Sequence, residues 1–469
     1  MSSAEIFPGE GLSNFIALGE LLYNSIKTLK EMGQPLQIAY SAKKYLETPI
    51  LVSLPNLGVR LMFSSTGHQK LLLVEILNFE FLKLKYKGSY LNDIIFAEPS
   101  DDELARLDSS ESLRDYQKRK QVLKPTLKEV YNRIFGPTFP GVLDKNTRTY
   151  LLSYPGVAFK FNLGLDELLD QLCEDENKND LLAKLTNWHR PSDIQCMAVA
   201  IFKGDNYENF TSQLIQRAHS NEDSKKLGDA TELSIEKLEV TLSTGTAEIH
   251  FHSHNKTPSA IIEIGKSTQQ DILRILGPPD AYFNKFDSRL LIHKHLSSST
   301  ASDLDSGSVY KFHNYFRHGI DFLYKLNPPN QKGGVLQKII LHNGGIVKTL
   351  EFMQWNKCNW VVKTRPEHDA PSVDSSMAFH QYREDFLNEV NTEKSEPVLL
   401  NRNEIEFSKN EELEVVLSDE LQQNVTLAAE NSVDYGENKT LGQLKLYGYD
   451  RCIWEVVENN GCVSCAIIY

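Results

Sequence analysis

Residues 126–141 read TLKEVYNRIFGPTFPG, and their pattern predicts a short helix with a defined start and end. Thr126 and Glu129 have the spacing of a capping box, which begins a helix. Apolar residues then recur at spacings of three and four, which is typical of a helix with one buried stripe. A Gly-Pro pair ends the helix, and an aromatic residue, Phe139, comes shortly after it.

The same pattern recurs at residues 267–283, which read STQQDILRILGPPDAYF. Ser267 and Gln270 have the spacing of a second capping box, and an apolar stripe follows. A Gly-Pro pair again ends the helix, and the aromatic residues Tyr282 and Phe283 come next. The recurrence predicts two copies of one structural unit.

Each copy continues with strand-forming sequence. After the stop come a β-rich run, a turn with a glycine and an alternating aromatic strand, which together predict a hairpin. A third strand closes each copy, at 197–202 and at 336–342. A looser version opens the chain, with a helix over 19–32 and strands up to residue 77. Three matches in one order favour duplication of an αβββ unit over three unrelated α+β stretches.

We therefore predict an α+β fold of three diverged αβββ repeats packed together, because a helix with one apolar stripe must cover a sheet with one apolar face. Acidic insertions poor in aromatic residues are predicted to be disordered, and an apolar C-terminal tail is predicted to dock back on the body. The predicted segments are 1–98 (first repeat), 99–125 (charged linker), 126–245 (second repeat with insertions), 246–364 (third repeat), 365–437 (acidic, largely disordered insertion) and 438–469 (C-terminal β segment).

Composition limits the class of function. The chain has 469 residues and a net charge of −13, and an acidic surface repels nucleic acids and anionic lipids. The basic run Lys118-Arg119-Lys120 with Lys124 is read as a solvated linker. We find no apolar stretch long enough for a membrane span and no signal peptide, and six cysteines indicate reduced thiols. These features predict a soluble cytoplasmic protein.

Two short motifs resemble known sites only in part. Gly265-Lys266-Ser267-Thr268 looks like the end of a phosphate-binding loop, but Ala260 stands where that loop needs glycine. Cys462 and Cys465 form a single CxxC pair, whereas a zinc site needs four ligands. We interpret the first as a helix cap and the second as buried thiols in a terminal strand.

A histidine-rich strand is the remaining candidate for a metal site. His250, His252 and His254 alternate and share one strand face with Glu248, while His293 and His295 lie further on. Zinc is one interpretation, but neighbours on a straight strand diverge, so solvent-facing histidines are favoured. We thus predict no catalytic, cofactor-binding or metal-ligating residue, and no enzyme activity.

Several short stretches, in this order and spacing, resemble the phagosome assembly factor family of eukaryotes. They are Leu18-Gly19, VRLMF (59–63), LKLKY (82–86), FPGV (139–142), YPGVAF (154–159), LGPP (276–279), NYF (314–316) and GIDFL (319–323). The resemblance covers roughly residues 10 to 360 and the last thirty. The long acidic insertions depart from the family pattern.

The resemblance implies a non-catalytic adaptor or scaffold without a cofactor. Members of the family pair with a WD-repeat β-propeller protein and are recruited from the cytoplasm to the phagophore in autophagy. Phosphoinositide membrane would then be reached only indirectly, as a peripheral contact through the propeller. The alternative is a small-molecule or lipid-binding protein of vesicle trafficking, with an unrecognised enzymatic activity as a variant.

An adaptor predicts exposed apolar patches or free sheet edges. The aromatic region with Phe352, Trp355 and Trp360 is the predicted partner contact. The tryptophans fit equally well as strand residues of the core.

Overall fold

A computed structural model gives the structure of the protein. The described residues are 2–13, 15–40, 48–64, 69–96, 120–164, 178–219, 235–251, 259–285, 309–326, 334–343, 354–390, 396–401, 413–417, 443–458 and 461–469. The chain divides into two compact units. Unit 1 is Met1–Ser65, Lys70–His219 and Glu412–Asn438, and unit 2 is Thr66–Gln69, Ser220–Glu411 and Lys439–Tyr469.

Strands dominate both units. The first strands along the chain are β1 (Ser2–Phe7), β2 (Gly11–Leu12), β3 (Ile16–Ala17), β4 (Leu36–Tyr40), β5 (Ile50–Leu54), β6 (Val59–Phe63), β7 (Leu71–Ile76), β8 (Leu82–Tyr86), β9 (Ser89–Tyr90), β10 (Asp93–Phe96), β11 (Lys120–Leu123), β12 (Val142–Asp144), β13 (Thr149–Tyr154), β14 (Val157–Asn162) and β15 (Cys196–Phe202). The later strands are β16 (Ile235–Thr241), β17 (Thr246–Phe251), β18 (Ser259–Glu263), β19 (Ala281–Lys285), β20 (Val309–Tyr315), β21 (Ile320–Leu326), β22 (Val335–His342), β23 (Trp360–Lys363), β24 (Ser372–Asp374), β25 (Val398–Asn401), β26 (Leu413–Leu417), β27 (Gln443–Tyr449), β28 (Cys452–Val457) and β29 (Val463–Ile468).

The helices are short. They are α1 (Leu22–Glu31), α2 (Leu127–Glu129, continued by a π-helical turn over Val130–Ile134), α3 (Lys178–Thr186), α4 (Tyr207–His219), α5 (Gln269–Leu276) and α6 (Glu384–Val390). Turns of 3₁₀ helix lie at Pro191–Asp193, Phe316–His318 and Phe379–Gln381. Among the described residues, no helix combines the length and the apolar character needed to cross a bilayer.

Unit 1 is built on a nine-stranded sheet in the order β12-β13-β14-β15-β7-β6-β5-β4-β26. Its strands are antiparallel except for β26, which runs parallel to β4. Two meanders, β4–β7 and β12–β15, are joined through their last strands, where Phe202 lies opposite Leu73. A smaller sheet, β3-β2-β1-β8-β9, has a parallel pair of β1 and β8 at its centre.

Unit 2 repeats this plan. Its eight-stranded sheet has the order β19-β20-β21-β22-β29-β28-β27-β25 and is antiparallel throughout. Here the closing strands β22 and β29 join the two halves, with His342 opposite Cys465. Its smaller sheet, β18-β17-β16-β23-β24, again has a parallel central pair, β16 and β23. A helix precedes each meander in the chain, and in unit 2 the buried residues of α5 and α6 belong to one hydrophobic cluster with residues of the strands.

The α+β class with mostly antiparallel strands is confirmed, but the helix-and-meander segments number four among the described residues, rather than three. They begin with α1, α2, α5 and α6, two in each unit. The sequence pattern of the fourth is weak because α6 is only seven residues long and more than fifty residues separate it from β27. The two units divide at 219/220, and β16 pairs within unit 2; the predicted repeat boundary at 245/246 stays a prediction. The common origin of these segments remains a prediction.

The segment predicted to be largely disordered, 365–437, is partly folded. Residues 365–390 form β24, a 3₁₀ turn and α6. Tyr382 and Phe386 are buried and their rings lie 5.3 and 6.3 Å from that of Trp454, so three apolar side chains hold an otherwise charged stretch in place. Residues 391–395, 402–412 and 418–442 lie outside the described part of the chain, as do 97–119 of the predicted linker. The predicted C-terminal β segment supplies β27–β29.

Helix capping follows the sequence with one shift. At α2 the backbone N of Glu129 donates to Thr126 Oγ1 and the N of Thr126 donates to Glu129 Oε2, so the predicted capping box is confirmed. At α5 the capping pair is Thr268 and Asp271, one residue later than predicted. Ser267 instead accepts a hydrogen bond from Glu263 N across the preceding turn.

The predicted Gly-Pro stops are fixed to the sheets by the same contact in both units, which we call the tyrosine lock. Tyr154 Oη donates to the carbonyl of Gly136 at 2.8 Å, and Tyr315 Oη donates to that of Gly277 at 2.9 Å. Both glycines have a positive φ, a conformation that is strained for other residues. The last residue of β13 and of β20 therefore fixes where the helix ends.

Gly156 tests the packing of unit 1. Its φ is +80°, and a Cβ there would lie 2.2 Å from the backbone N of Gly9. We expect Gly156→Ala to lower the free energy of unfolding by more than about 2 kcal/mol, because the left-handed backbone and the contact with β1's turn both oppose a side chain. Urea unfolding of the full chain measures this.

The control is Gly164→Ala, which should change the free energy of unfolding by less than about 0.5 kcal/mol. Gly164 is exposed and its nearest neighbour would lie 3.7 Å from the new Cβ. Equal effects of the two substitutions would contradict the described turn.

Candidate interaction site

The structure places the predicted contact residues in different environments. Trp360 is 0% exposed and its ring lies 5.7 Å from that of Trp454, so it is a core residue and cannot reach a partner. Phe352 lies outside the described residues. Trp355 is half-buried and has specific polar contacts.

Trp355 is held against the large sheet of unit 2. Its Nε1 donates to Asp321 Oδ1 at 2.6 Å, and its ring stacks on His342 with centroids 4.8 Å apart. Phe316 packs edge-on against the same ring. The predicted contact residue is therefore committed mainly to its own fold, with only part of its ring available to a partner.

Asp321 belongs to a row of polar side chains across five strands. It also accepts from Asn314 Nδ2 at 2.9 Å, and its Oδ2 lies 2.9 Å from His342 Nε2. His342 stands opposite Cys465, and Cys465 stands opposite Glu455, whose Oε2 is 3.4 Å from the thiol. Asp321, His342, Cys465 and Glu455 are all buried. Buried polar groups need partners, and this row supplies them to one another.

The same positions are apolar in unit 1. Aligning the two tyrosine locks and following the strand pairing from β13 to β6 places Ala158, Phe202, Leu73 and Met62 where unit 2 has Asp321, His342, Cys465 and Glu455. These four residues belong to an apolar cluster with Tyr207 and Phe210 of α4. Trp355 covers His342 much as those aromatic rings cover Phe202. The positions that form an apolar cluster in unit 1 therefore form a buried polar row in unit 2.

The row contains the residue types of nucleophilic catalysis, a carboxylate, an imidazole and a thiol. Its geometry favours another role. The described contact of the Cys465 thiol is the Glu455 carboxylate, and both the thiol and the imidazole are buried beyond the reach of a substrate. In this arrangement the row holds Trp355 against the large sheet of unit 2.

The remaining sequence candidates are explained by packing. Cys462 and Cys465 are buried thiols, as predicted. Thr268 caps α5, so the phosphate-loop resemblance is a helix start. His250 Nε2 lies 3.9 Å from Glu248 Oε2, whereas His252, His254, His293 and His295 fall outside the described residues. Within the described part of the chain, no three or more ligating side chains are grouped to hold a metal.

Among the described residues of unit 1, Phe139 is the most exposed aromatic side chain, at 88%. Its loop is fixed on both sides. Before it, the tyrosine lock holds the carbonyl of Gly136, and after it Gly141 N donates to Tyr150 Oη at 2.7 Å. Thr138 Oγ1 also donates to the carbonyl of Ser153. A rigid loop therefore presents Phe139 to solvent.

The segment after the second tyrosine lock also exposes aromatic residues. Tyr282 and Phe283 are 56% and 61% exposed on β19, which follows the second tyrosine lock. Among the described strands β19 is the last of its sheet and pairs only with β20, so one edge is unpaired. Lys311 Nζ lies 4.4 Å from the Tyr282 ring centroid. This combination of a strand edge and aromatic side chains suits strand addition by a partner.

We call Phe139, Tyr282 and Phe283 the anchor residues. Exposed aromatic side chains held by a rigid backbone are typical of interface hot spots, because little entropy is lost when they are buried. The Gly-Pro-aromatic pattern of the sequence contains these residues, whereas the predicted contact residues were Phe352, Trp355 and Trp360. The signal was present in the recurrence of an aromatic residue after each helix stop.

A surface cleft in unit 2 bears on the ligand-binding alternative. Its volume is about 410 Å³, and its walls carry Leu242, Ser243, Thr364, Arg365, Glu389, Val390, Asp450 and Arg451. Arg365 Nη2 already pairs with Glu389 Oε1 at 2.9 Å. Two cations and two anions with few apolar neighbours differ from the predicted apolar pocket with a few convergent polar groups.

Asp321 provides a test of the polar row. We expect Asp321→Asn to lower the free energy of unfolding by about 1 to 3 kcal/mol, because an amide cannot accept from Asn314, His342 and Trp355 together. Urea unfolding followed by tryptophan fluorescence measures it. Glu389→Gln, at an exposed ion pair, is the control and should change the free energy by less than about 1 kcal/mol. If Asp321→Asn left the free energy of unfolding unchanged, the polar row would not stabilise the position of Trp355.

His313 lies directly beside an anchor residue. Its ring is buried, 4.9 Å from that of Tyr282 and 4.7 Å from that of Tyr324, and neither ring nitrogen has a hydrogen-bond partner. Burial, and then the charge of Lys311, lower the pKa of His313 to about 4 from 6.5. The folded chain thus binds this proton less readily than the unfolded chain.

The consequence is a stability that falls on acidification. The contribution of neutral His313 is complete above pH 6.5 and is lost as the pH falls from 6.5 towards 4. We expect His313→Phe to have a flatter dependence of unfolding free energy on pH over this window than the wild type. Parallel pH profiles for the two proteins would contradict a buried neutral imidazole.

Comparison with known proteins gives the family. The family model described as phagosome assembly factor 1 matches residues 13–100 and 115–469. A PHAF1 protein of Caenorhabditis elegans is 24% identical over 384 residues, which cover 79% of this chain and 77% of that protein. PHAF1 proteins of Drosophila melanogaster and Arabidopsis thaliana are each 24% identical, covering 73% and 76% of this chain and 68% and 74% of their own lengths. No solved structure matches the chain. The family match spans most of the sequence, and the chain therefore belongs to the phagosome assembly factor 1 family.

Proposed function

We propose that this chain is a non-catalytic adaptor that acts at the phagophore and binds a WD-repeat β-propeller protein through its anchor residues. Membership of the phagosome assembly factor 1 family associates it with phagosome assembly in autophagy. The propeller partner and the absence of catalysis are the proposal's own. The observation that carries it is that each unit exposes large aromatic residues in the segment that follows its tyrosine lock, three residues after Gly136 in unit 1 and five and six residues after Gly277 in unit 2.

The free-energy cost of leaving aromatic side chains in water supports a binding role. Leaving a large aromatic side chain in water forgoes the stabilisation that its burial would give, about 2 kcal/mol for a side chain of this size. Single exposed apolar residues are common on proteins, so one would carry little weight. A loop in unit 1 and a strand in unit 2, each following a tyrosine lock and each exposing such residues, are harder to explain by chance. A partner that buries these residues recovers that free energy.

The edge of β19 supports a particular mode of binding. A partner strand that added to β19 would use its unpaired backbone groups, and Tyr282 and Phe283 would contact the partner from opposite faces because side chains alternate along a strand. The outer strand of a propeller blade, or an extended loop leading from it, has the required form. Lys311 beside Tyr282 favours an acidic residue on the partner.

The first experiment measures binding to an identified propeller. The full chain is isolated from starved cells, and WD-repeat proteins recovered with it are identified by mass spectrometry and then purified. We expect Phe139→Ser or the pair Tyr282→Ser and Phe283→Ser to weaken binding to that purified protein at least tenfold, which corresponds to about 1.4 kcal/mol. Biolayer interferometry measures the dissociation constants.

Ile261→Ser is the matched control, since Ile261 is 67% exposed on β18, another strand at the end of its sheet. It should leave the dissociation constant unchanged. If no WD-repeat protein were recovered, the proposed partner would be contradicted. If the anchor variants bound as tightly as the wild type, the proposed surface would be contradicted.

A further inference from the structure

We propose that the outer edge of β4 is a strand-addition site, which the chain's own strand β26 occupies and which an extended segment of a partner protein takes over when β26 leaves. The site lies outside the adaptor surface above, because none of the anchor residues is on β4 or β26. Strand addition uses the backbone groups of a sheet edge for affinity and the side chains around it for selection.

β26 is the exception in the large sheet of unit 1. It pairs in parallel with β4, from Leu413 opposite Leu36 to Leu417 opposite Tyr40, whereas the other neighbouring strands of that sheet are antiparallel. A parallel ladder is slightly less stable per residue than an antiparallel one. Among the described strands β26 pairs only with β4, so it can leave without breaking any other ladder.

The connection that carries β26 starts and ends in the other unit. β26 belongs to unit 1, but β25 before it and β27 after it belong to unit 2. The chain between β25 and β27 covers residues 402–442, whereas the corresponding connection between β4 and β5 covers only 41–49. A long tether supplies its strand at an effective concentration of about a millimolar or less, so a partner with sufficient affinity can replace it.

Unit 2 shows that this kind of sheet is complete without such a strand. β25 holds the place of β4 there, since each follows a helix and pairs with the next strand of its meander. Val398 of β25, opposite Leu446, is 63% exposed, whereas Ala39 of β4, opposite Leu51, is 5% exposed. β26 therefore pairs in unit 1 with an edge that has no described partner in unit 2.

β4 is poorly suited to be a bare edge. Leu36 and Ile38 are buried on one face of the strand, and Ala39 belongs to the apolar cluster on the other face. Residues 36–40 contain no charged side chain and no proline, which are the usual protections of a free edge. Loss of β26 would leave unpaired backbone N–H and C=O groups beside these apolar residues, and such an edge is a template for another strand.

The sequence of β26 indicates what kind of segment fits. The register sets Val415 beside Ile38 and Val416 beside Ala39, and both of these β4 residues are buried. Valine and isoleucine favour the extended backbone. The partner segment is therefore an extended one with two successive β-branched apolar residues. Residues 409–421 of this chain, KNEELEVVLSDEL, serve as a probe for it.

Binding of a fluorescein-labelled peptide of residues 409–421 to the full chain tests the proposal. The variant of β26 combines Val415→Pro and Val416→Pro. Successive N–H groups of a strand point to opposite edges, so one of the two prolines removes a donor to β4. We expect this variant to keep its fold and to bind the peptide at least tenfold more tightly than the wild type, whose site is filled by β26. Fluorescence anisotropy measures the dissociation constants.

Val425→Pro with Thr426→Pro is the matched control, since it places the same change in the same connection beyond β26. It should bind the peptide as weakly as the wild type does. The proposal is overturned if the β26 variant binds the peptide no better than this control, or if it unfolds, because β26 would then be an integral strand. A labelled peptide that carries the two prolines should not bind, and its binding would overturn strand pairing as the mode.

Two measurements on the wild type complete the test. In hydrogen exchange, amides of β26 should open at a lower free energy than those of β5 and β6, and equal protection would contradict a removable strand. In light scattering, the wild type and the β26 variant should have the same molar mass. A wild-type dimer that the variant dissociates would identify a second copy as the source of β26 and overturn the proposal. None of these assays uses a propeller protein, so their results are independent of the adaptor role.

Discussion

The ladder between the two closing strands of each unit is the constraint on which the structure depends. A single meander with one short helix buries too little apolar surface to fold alone. Pairing β7 with β15, and β22 with β29, merges two such meanders into one sheet whose centre is inaccessible to water. The strands at this join are among the most completely buried of the chain, with Val74, Val199, Leu341 and Ala466 at or near 0% exposed.

Once the join is made, side chains on one face of the sheet can diverge without loss of the fold. Unit 1 fills that face with Met62, Leu73 and Phe202, whereas unit 2 fills the same register with Glu455, Cys465 and His342. The polar version is stable because each group has a partner, and it fixes Trp355 in a way that an apolar face would not. The outer surfaces diverge in the same manner, with a single phenylalanine in one unit and an aromatic strand edge in the other.

The sequence predicted what local chemistry determines. Capping at Thr126, the Gly-Pro stops, the hairpins and the burial of Cys462 and Cys465 all follow from neighbours in the chain.

The fourth helix-and-meander segment was missed because α6 carries few apolar residues and is held by the distant Trp454. The polar row was missed because Asp321, His342 and Glu455 are brought together only by strand pairing. Trp360 was ambiguous, since a core tryptophan and a contact tryptophan look alike before burial is known.

Hydrogen exchange of the native chain, followed peptide by peptide with mass spectrometry, tests whether the closing strands hold each unit together. If each unit is one body held by its closing strands, amides of β7 and β15 should exchange last and with the same free energy of opening, and so should those of β22 and β29. Exchange of the C-terminal strands β28 and β29 well before β21 and β22 would contradict the account, because it would show that the second meander of unit 2 opens without the first.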